Sequence, residues 1–462
     1  MDKVLKKKII LSEEQSNALN NIFYWWFNNN SISRVLKGYA GTGKTTLVSH
    51  LIKHGVKVPK NGINHTLKIE KYVMAAPTHK AAFVLSEKTG EKVSTLHSLL
   101  GLSPAVHLEI FDDADPLYAP SKGSSIPDNC LVIVDECSMI NKNLKMFLEK
   151  ICISLQSRIL YIGDPAQIPP IGEELSDTFL LEGDELIEIR RTEEGSILQS
   201  CAYLRENVKN RDLNLYGFKD DRFRFEKLGK DIVKYYEEDK ITTKYIAWTN
   251  ERVSAANISV RNHLIKSENK FAEGDIIVTM ETRGGLSIDK PFFSGYMNCE
   301  EFEIIEIKEW IQEYNENSHE KISLTCYLLT CNSLLIKNKV CEILILKKDS
   351  YTNFINYYSY LVSLAKKESE PTKRAKKWGN VLTLKSTILV SSPISYKNDN
   401  GYHYKKTVDY AYAITSHKSQ GSTYKRVIID IEDIMKNKDE WERNRILYVA
   451  ISRASEEVIV VY

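Results

Sequence analysis

GYAGTGKTT, Gly38 to Thr46, fits the pattern G-x-x-x-x-G-K-[ST]. It lies inside SRVLKGYAGTGKTTLVSHLIKHG, whose succession of apolar run, glycine turn and periodic apolar residues predicts strand, loop and helix. Gly38, Gly41 and Gly43 let the backbone curl close to a nucleotide's phosphates, and the helix N-terminus adds its partial positive charge. Lys44 brings a point charge to the β- and γ-phosphates, and the Thr45 hydroxyl is placed for Mg²⁺. Gly41, Thr42, Gly43, Lys44, Thr45 and Thr46 are therefore the expected nucleotide-binding residues. A strand feeding such a loop predicts an α/β fold.

Working outward, SEEQSNALNNIFYWWF reads as a helix with Ser12 as N-cap and Gln15 at the third position, the spacing of a capping box. A glutamine just upstream of a phosphate loop also has the donor and acceptor that adenine's N6/N7 edge requires, and the two readings are compatible. CLVIVDECSMI is continuously apolar and closes on Asp135-Glu136, as a buried parallel strand does at its ligand-bearing end. Asp135 suits the Mg²⁺ shell and Glu136 the attacking water. SRILYIGDPAQIPPIG is a further strand, with Gln167 placed to sense the γ-phosphate.

Two more strand ends carry anion-binding residue types. KYVMAAPTHKAAFVL passes through Pro77, Thr78 and His79 into a helix, and VSTLHSLLGL puts Thr95 and His97 at the head of another. Such termini suit backbone phosphates, although a plain helix cap by threonine explains Thr78 equally. Residues 103–127, polar and proline-rich, are too long for an ordinary connection and read as an excursion with its own role.

The second half repeats the logic. ELIEIRRTEEGSI puts Arg190 and Arg191 at a turn, either paired with Glu188, Glu193 or Glu194 or acting as a finger toward a γ-phosphate. KYIAWTNERVSAANISVRNHL is strand, Thr249-Asn250, helix. FAEGDIIVTM, MNCEEFEIIEIKEW and KISLTCYLLT change to short alternating strands, a small antiparallel β module. The stretch from Tyr351 to Lys385 mixes lysines and arginines with Trp378 and tyrosines; it is either a nucleic-acid-facing element or a solvated helix face. The chain then returns to α/β style in DYAYAITSHKSQGSTYKRVIIDI, with Thr415, His417, Lys418, Gln420 and Gly421, and in NRILYVAISRASEEVIVVY, with Arg453. The β module is thus an insertion in a second α/β domain.

The chain has 462 residues, enough for about three domains at roughly 150 each. Lys and Arg total 63 against 61 Asp and Glu, so a nucleic-acid site must be a local groove on a nearly neutral molecule. The eight cysteines form no C-x-x-C pair, which favours free buried thiols over zinc. MDKVLKKKIILSEEQ lacks an apolar secretory core, and no run of about eighteen apolar residues occurs, so a cytoplasmic protein without a membrane span is expected.

In order along the chain, Gln15, GYAGTGKTT, APTHKAA, STLHSLLG, VIVDE, GDPAQIPP, Arg191, ITSHKSQGST and LYVAISRA resemble the motifs of superfamily 1 DNA helicases, the RecD/Dda-like branch in particular. The resemblance implies two RecA-like parallel-sheet domains, with ATP in the cleft between them, Mg²⁺, and single-stranded DNA across their tops. The first would be 1–182, holding a pin-like insertion at 103–127 with Phe111 or Tyr118 as wedge. The second would be 183–270 with 408–462, interrupted at 271–407 by a small β-barrel with a helical tower. It implies Gln15 on adenine, Lys44, Asp135, Glu136, Gln167, Arg191 and Arg453 as catalytic residues, and Gln420 and Gly421 near the nucleotide. Pro77, Thr78, His79, Thr95, His97, Thr249, Asn250, Thr415, His417 and Lys418 would touch the strand. The implied activity is ATP-dependent, 5′-to-3′ unwinding of forked duplex DNA by a monomer, alongside a single-strand-binding, replication or recombination protein. Two alternatives stand beside it: a translocase that strips proteins from DNA without strand separation, and a P-loop kinase or GTPase indifferent to DNA.

Overall fold

The computed structural model describes residues 11–28, 31–60, 63–113, 116–188, 195–208, 213–283, 295–314, 322–395 and 403–462. Two compact units emerge: residues 1–102 with 122–209, and residues 103–121 with 210–462.

The first unit opens with α1 (Glu13–Asn28), then β1 (Ser33–Gly38), α2 (Lys44–Lys53) and a hairpin of β2 (Val56–Lys60) and β3 (Ile63–Leu67). It continues through β4 (Tyr72–Ala76), α3 (His79–Thr89), β5 (Val93–Thr95) and α4 (Leu96–Leu99). After the excursion, which begins and ends in the paired β6 (Leu102–Pro104) and β7 (Tyr118–Pro120), come β8 (Leu131–Val134), α5 (Lys142–Ser154), β9 (Arg158–Gly163), β10 (Gly183–Leu186) and α6 (Ser196–Glu206). The sheet order is β10-β1-β9-β8-β4-β5, parallel throughout. Strand alternation divides its apolar side chains between two cores. Leu131 and Ile133 pack with residues of α1, α2 and α3, while Val132 and Val134 pack with Leu148 and Cys152 of α5. Both faces are covered, which is why these strands read as unbroken apolar runs.

The second unit holds β11 (Phe223–Glu226), α7 (Lys234–Glu238), β12 (Thr243–Ala247) and α8 (Asn250–Leu264). The inserted part follows: β13 (Ile276–Thr279), β14 (Glu301–Tyr314), β15 (Ile322–Ser333), β16 (Val340–Leu346), α9 (Tyr351–Lys366), α10 (Pro371–Thr387), β17 (Ile388–Leu389), the small pair β18 (Ile394–Ser395) and β19 (His403–Tyr404), and β20 (Val408–Tyr410). The chain ends with β21 (Ala413–Thr415), α11 (Ser416–Ser419), β22 (Tyr424–Asp430), α12 (Ile431–Ile434), α13 (Glu440–Ser452) and β23 (Ala454–Val461). A second parallel sheet runs β11-β23-β22-β12-β21, and the insertion forms a mostly antiparallel sheet, β17-β16-β15-β14-β13-β20.

Four details differ from the sequence expectations. Residues from 183, expected to open the second domain, stay with the first unit as far as 209, and β10 pairs with β1 in the first sheet. Val408–Tyr410 pairs with β13, so hydrogen bonding assigns it to the inserted sheet rather than to the second α/β sheet. The excursion clusters with the second unit over residues 103–121, short of Pro127. The aromatics of the Tyr351–Lys385 stretch face inward: Phe354, Tyr357, Tyr358 and Trp378 are buried in one core with Leu324, Cys326 and Phe111. Helical periodicity, with the lysines on the outer face, makes this an amphipathic pair of helices rather than a stacking platform for bases.

Candidate functional site

The phosphate loop is held from two sides. Gly41 and Gly43 take φ values of 88° and 82°, the left-handed region that favours glycine. At Gly43 a Cβ would also fall 2.3 Å from the Gln15 amide nitrogen. Gln15 forms the expected capping box: its backbone N–H donates to Ser12 Oγ at 3.1 Å, and its Oε1 accepts from the Ser12 N–H at 3.1 Å. Its Nε2 then donates to the Thr42 carbonyl at 3.0 Å, so α1 braces the loop directly. Lys44 Nζ donates to the carbonyls of Gly38, at 2.6 Å, and Tyr39, at 2.9 Å.

Two sheet neighbours supply acids and an amide. Asp135 follows β8, its N–H donating to the Ala75 carbonyl at 3.0 Å. Burial and the adjacent charge of Glu136 push its carboxyl up to about 6. Glu136 adopts φ 52°, a conformation that non-glycine residues hold only where the surroundings enforce it. Beyond β9, Gln167 is buried and its N–H donates to the Asp164 carbonyl at 3.2 Å.

Four threonines share one local design. Thr78 follows β4 and Thr95 ends its partner β5, while Thr249 follows β12 and Thr415 ends its partner β21. Each caps the next helix, accepting the N–H of Ala81, Ser98, Arg252 and Lys418 respectively at 3.2, 3.2, 3.2 and 3.4 Å. A hydroxyl that accepts in this way keeps its own proton for another acceptor: a phosphate oxygen could take it at Thr78, Thr95 and Thr415, whereas Thr249 gives it to Asp433. The cap reading and the strand-contact reading of Thr78 thus coexist. Pro77 precedes Thr78, His79 and His97 follow the caps of the first unit, and Asn250, His417 and Lys418 follow those of the second. A cavity of about 390 Å³ opens beside Asn250, Thr415 and Lys418, walled by Val278, Met280 and Tyr410.

Burial holds the His79 imidazole below its ordinary value, with His97 adding to the effect, and burial lowers His97 as well. Both rings are neutral at pH 7 in the folded chain, while an unfolded histidine charges near 6.5. Below 6.5 the unfolded state therefore binds more protons, and stability is expected to fall until the folded-state values are passed. From pH 7 to 5 the raised Asp135 carboxyl works in the opposite sense, so the check is a comparison: the double variant His79→Gln/His97→Gln should lose less thermal stability on acidification than the unaltered protein.

The structure departs from expectation at several residues. Arg453 is buried: Nε donates to the Val449 carbonyl, Nη1 to the Ser422 carbonyl and Nη2 to Ser452 Oγ at 2.8 Å. Its guanidinium is engaged within its own unit instead of being held out as a finger. Arg191 lies outside the described residues. Gln420 and Gly421, with φ 73° at the glycine, form the turn after α11. Phe111 is 2% exposed and packs edge-on against Trp378, so it is a core residue, not a wedge; Tyr118 is 51% exposed.

Asp433 escaped the sequence reading. On α12, its carboxylate accepts the N–H of Trp248 at 3.0 Å and of Thr249 at 2.8 Å, and the Thr249 hydroxyl at 2.9 Å. It fixes the turn that presents Thr249 and Asn250. Asp430 beside it accepts from Tyr245 and Arg252.

A profile described as an AAA domain matches residues 28–173, and one described as a UvrD-like helicase C-terminal domain matches residues 410–461. The chain is 26% identical to the uncharacterized protein R530 of Acanthamoeba polyphaga mimivirus, over 92% of this chain and 94% of that protein. It is 29% identical to the ATP-dependent DNA helicase dda of Enterobacteria phage T4, over 53% of this chain and 56% of the phage protein. With the ATP-dependent RecD2 DNA helicase of Deinococcus radiodurans it shares 31% identity over 36% of this chain and 21% of that one. A solved structure of Pif1 helicase, from work on unwinding at forked duplex DNA, matches its fold with a TM-score of 0.50 at 17% identity, over 98% of this chain and 92% of that one. The two profiles, falling on the phosphate-loop half and on the ITSHKSQGST–LYVAISRA end, together with the dda and RecD2 matches, support a superfamily 1 helicase of the RecD/Dda-like branch.

Proposed function

We infer that this chain is an ATP-dependent DNA helicase that moves along single-stranded DNA, 5′ to 3′, and separates the strands of a fork. The observation that carries the reading is the pairing of one phosphate loop and one Asp-Glu pair with the threonine cap repeated on both parallel sheets. Backbone N–H groups of the Gly38–Thr46 loop and Lys44 bind the triphosphate, with Lys44 exchanging its carbonyl partners for phosphate oxygens. Glu136 orients and deprotonates the attacking water, and Gln167 reports the γ-phosphate. Thr45 and Asp135 form a small hard-oxygen set that fits Mg²⁺, an ion usually held by one or two carboxylates and the substrate phosphates. Asp135, a carboxylate buried beside a second acid, suits a nearby cation. Mg²⁺ there would neutralise charge developing on the phosphates.

The hydroxyls of Thr78, Thr95 and Thr415 and the helix N-termini of the two units would grip successive phosphates, so contact with the strand is largely independent of sequence. Alternating grip, timed by turnover at the loop, moves the chain along the strand. Tyr118 is the aromatic left to part the duplex. Roles for Arg191 and Arg453 as sensors of the γ-phosphate are part of this proposal; Arg453 would first have to release its carbonyl partners.

Forked duplexes bearing only a 5′ or only a 3′ single-stranded tail test this directly. With ATP, strand separation is expected for the 5′-tailed fork alone. Hydrolysis stimulated by DNA with neither fork opened would replace unwinding by the protein-stripping reading. Hydrolysis indifferent to DNA would remove both.

A further inference from the structure

Within the first unit, Tyr39 occupies the second position of the phosphate loop, where the pattern leaves the residue free. Its carbonyl is the point on which the loop converges. It accepts Lys44 Nζ at 2.9 Å, Thr42 Oγ1 at 2.9 Å and the Thr42 N–H at 3.3 Å. Its side chain is fixed just as firmly. The Arg205 guanidinium, on the last turn of α6, lies over the Tyr39 ring with 3.6 Å between the guanidinium carbon and the ring centroid. That is well inside the roughly 6 Å at which a cation is held by the face of an aromatic ring. The Arg205 side chain is only 12% exposed, so water screens the attraction weakly. The Tyr39 hydroxyl donates to Glu185 on β10 at 2.7 Å, a solvent-facing bond.

We propose that Arg205 is a positioning residue for nucleotide binding: by clamping the Tyr39 ring it fixes the peptide whose carbonyl holds Lys44 and Thr42, and so keeps the phosphate loop in the shape that receives a triphosphate. The inference rests on the ATPase reading above. Arg205 makes no contact with the nucleotide in it and acts only through Tyr39. A free tyrosine at this position would let the first half of the loop adopt several backbone states, each to be suppressed again on binding. The clamp removes that cost before the ligand arrives. Once phosphates fill the loop, its own N–H groups hold it, so the clamp matters for binding and little for chemistry. Removing it should therefore raise KM with kcat preserved, the signature of lost uniform binding.

Full-length protein would be titrated with a fluorescent N-methylanthraniloyl ATP, and steady-state hydrolysis measured with saturating single-stranded DNA. Arg205→Ala and Tyr39→Leu should each weaken nucleotide binding about five- to tenfold and raise KM for ATP to match, with kcat within about twofold of the original. Arg205→Lys, which keeps a cation over the ring, should recover much of the loss, and Tyr39→Phe, which keeps the ring, should stay close to the unaltered protein. The double variant should bind no worse than either single one, because the two side chains act as one unit. Unchanged affinity in Arg205→Ala, additive losses in the double variant, or a fall in kcat at unchanged KM would each overturn the proposal. If the unaltered protein itself fails to bind the nucleotide, the ATPase reading falls with it.

Discussion

Glu136→Gln should reduce ATP turnover at least about a hundredfold while leaving nucleotide affinity within about threefold, since a positioned general base contributes roughly 10²–10⁴. The side chain keeps its size and can still accept a hydrogen bond, so the loop and the β8 strand end are not disturbed. What is lost is the basic oxygen that would take a proton from the attacking water. The backbone adds a reason to expect a functional role here. Glu136 sits at φ 52° at the end of a fully buried strand, a conformation costing of order 1–3 kcal/mol that a purely structural position would relieve with glycine or asparagine. The measurement is hydrolysis with saturating oligonucleotide, beside a binding titration on the same sample. A variant that turns over ATP at half the normal rate would remove Glu136 from the chemistry and leave its strain unexplained.

The parallel-sheet cores were legible because they rest on local signals. VIVDE and ILYIGD announce buried strands by unbroken apolar runs, and GYAGTGKTT announces its loop by glycine spacing. Ser12 and Gln15 were legible as a capping box for the same reason: both partners lie within one helical turn. What escaped the sequence depends on distant partners. Phe111 was a wedge candidate only through the resemblance of the excursion to a pin, and Trp378 covers it. Trp378 stands among lysines, which left a nucleic-acid-facing element and a solvated helix face both open, and it lies on the one apolar face of α10. Arg205 and Asp433 gave no signal at all, since each is defined by what another segment brings to it. The inserted sheet was visible as alternating strands, but its closing strand Val408–Tyr410 was assigned to the next domain because pairing with β13 is not written in either strand alone.

Asp433→Ala is expected to weaken single-stranded DNA binding about tenfold and to lower stability by about 3 kcal/mol, the scale of losing hydrogen bonds to a charged acceptor. The carboxylate is 1% exposed and holds three donors from Trp248 and Thr249, residues 184 or 185 positions away. Without it, the two backbone N–H groups must find water and the turn before α8 loses its fixed shape. Thr249 would still cap Arg252, but Asn250 and the N-terminus of α8 would no longer be presented in one orientation. The pH dependence has a definite sign. Burial alone would raise the Asp433 carboxyl, but the Thr249 N–H and hydroxyl, Lys436 and the Trp248 N–H outweigh it and hold the group below the ordinary aspartate value. Its stabilising contribution is therefore complete above about pH 3.9 and is lost as pH falls through the lower folded-state value. Asp433→Asn keeps one acceptor oxygen and should fall between the two, with the acid-dependent part removed. Urea unfolding gives the stability term and fluorescence anisotropy with a labelled oligonucleotide gives the binding term. Stability lost with DNA affinity unchanged would show that the Thr249-Asn250 turn takes no part in holding the strand, and the four-threonine design would then be helix capping alone.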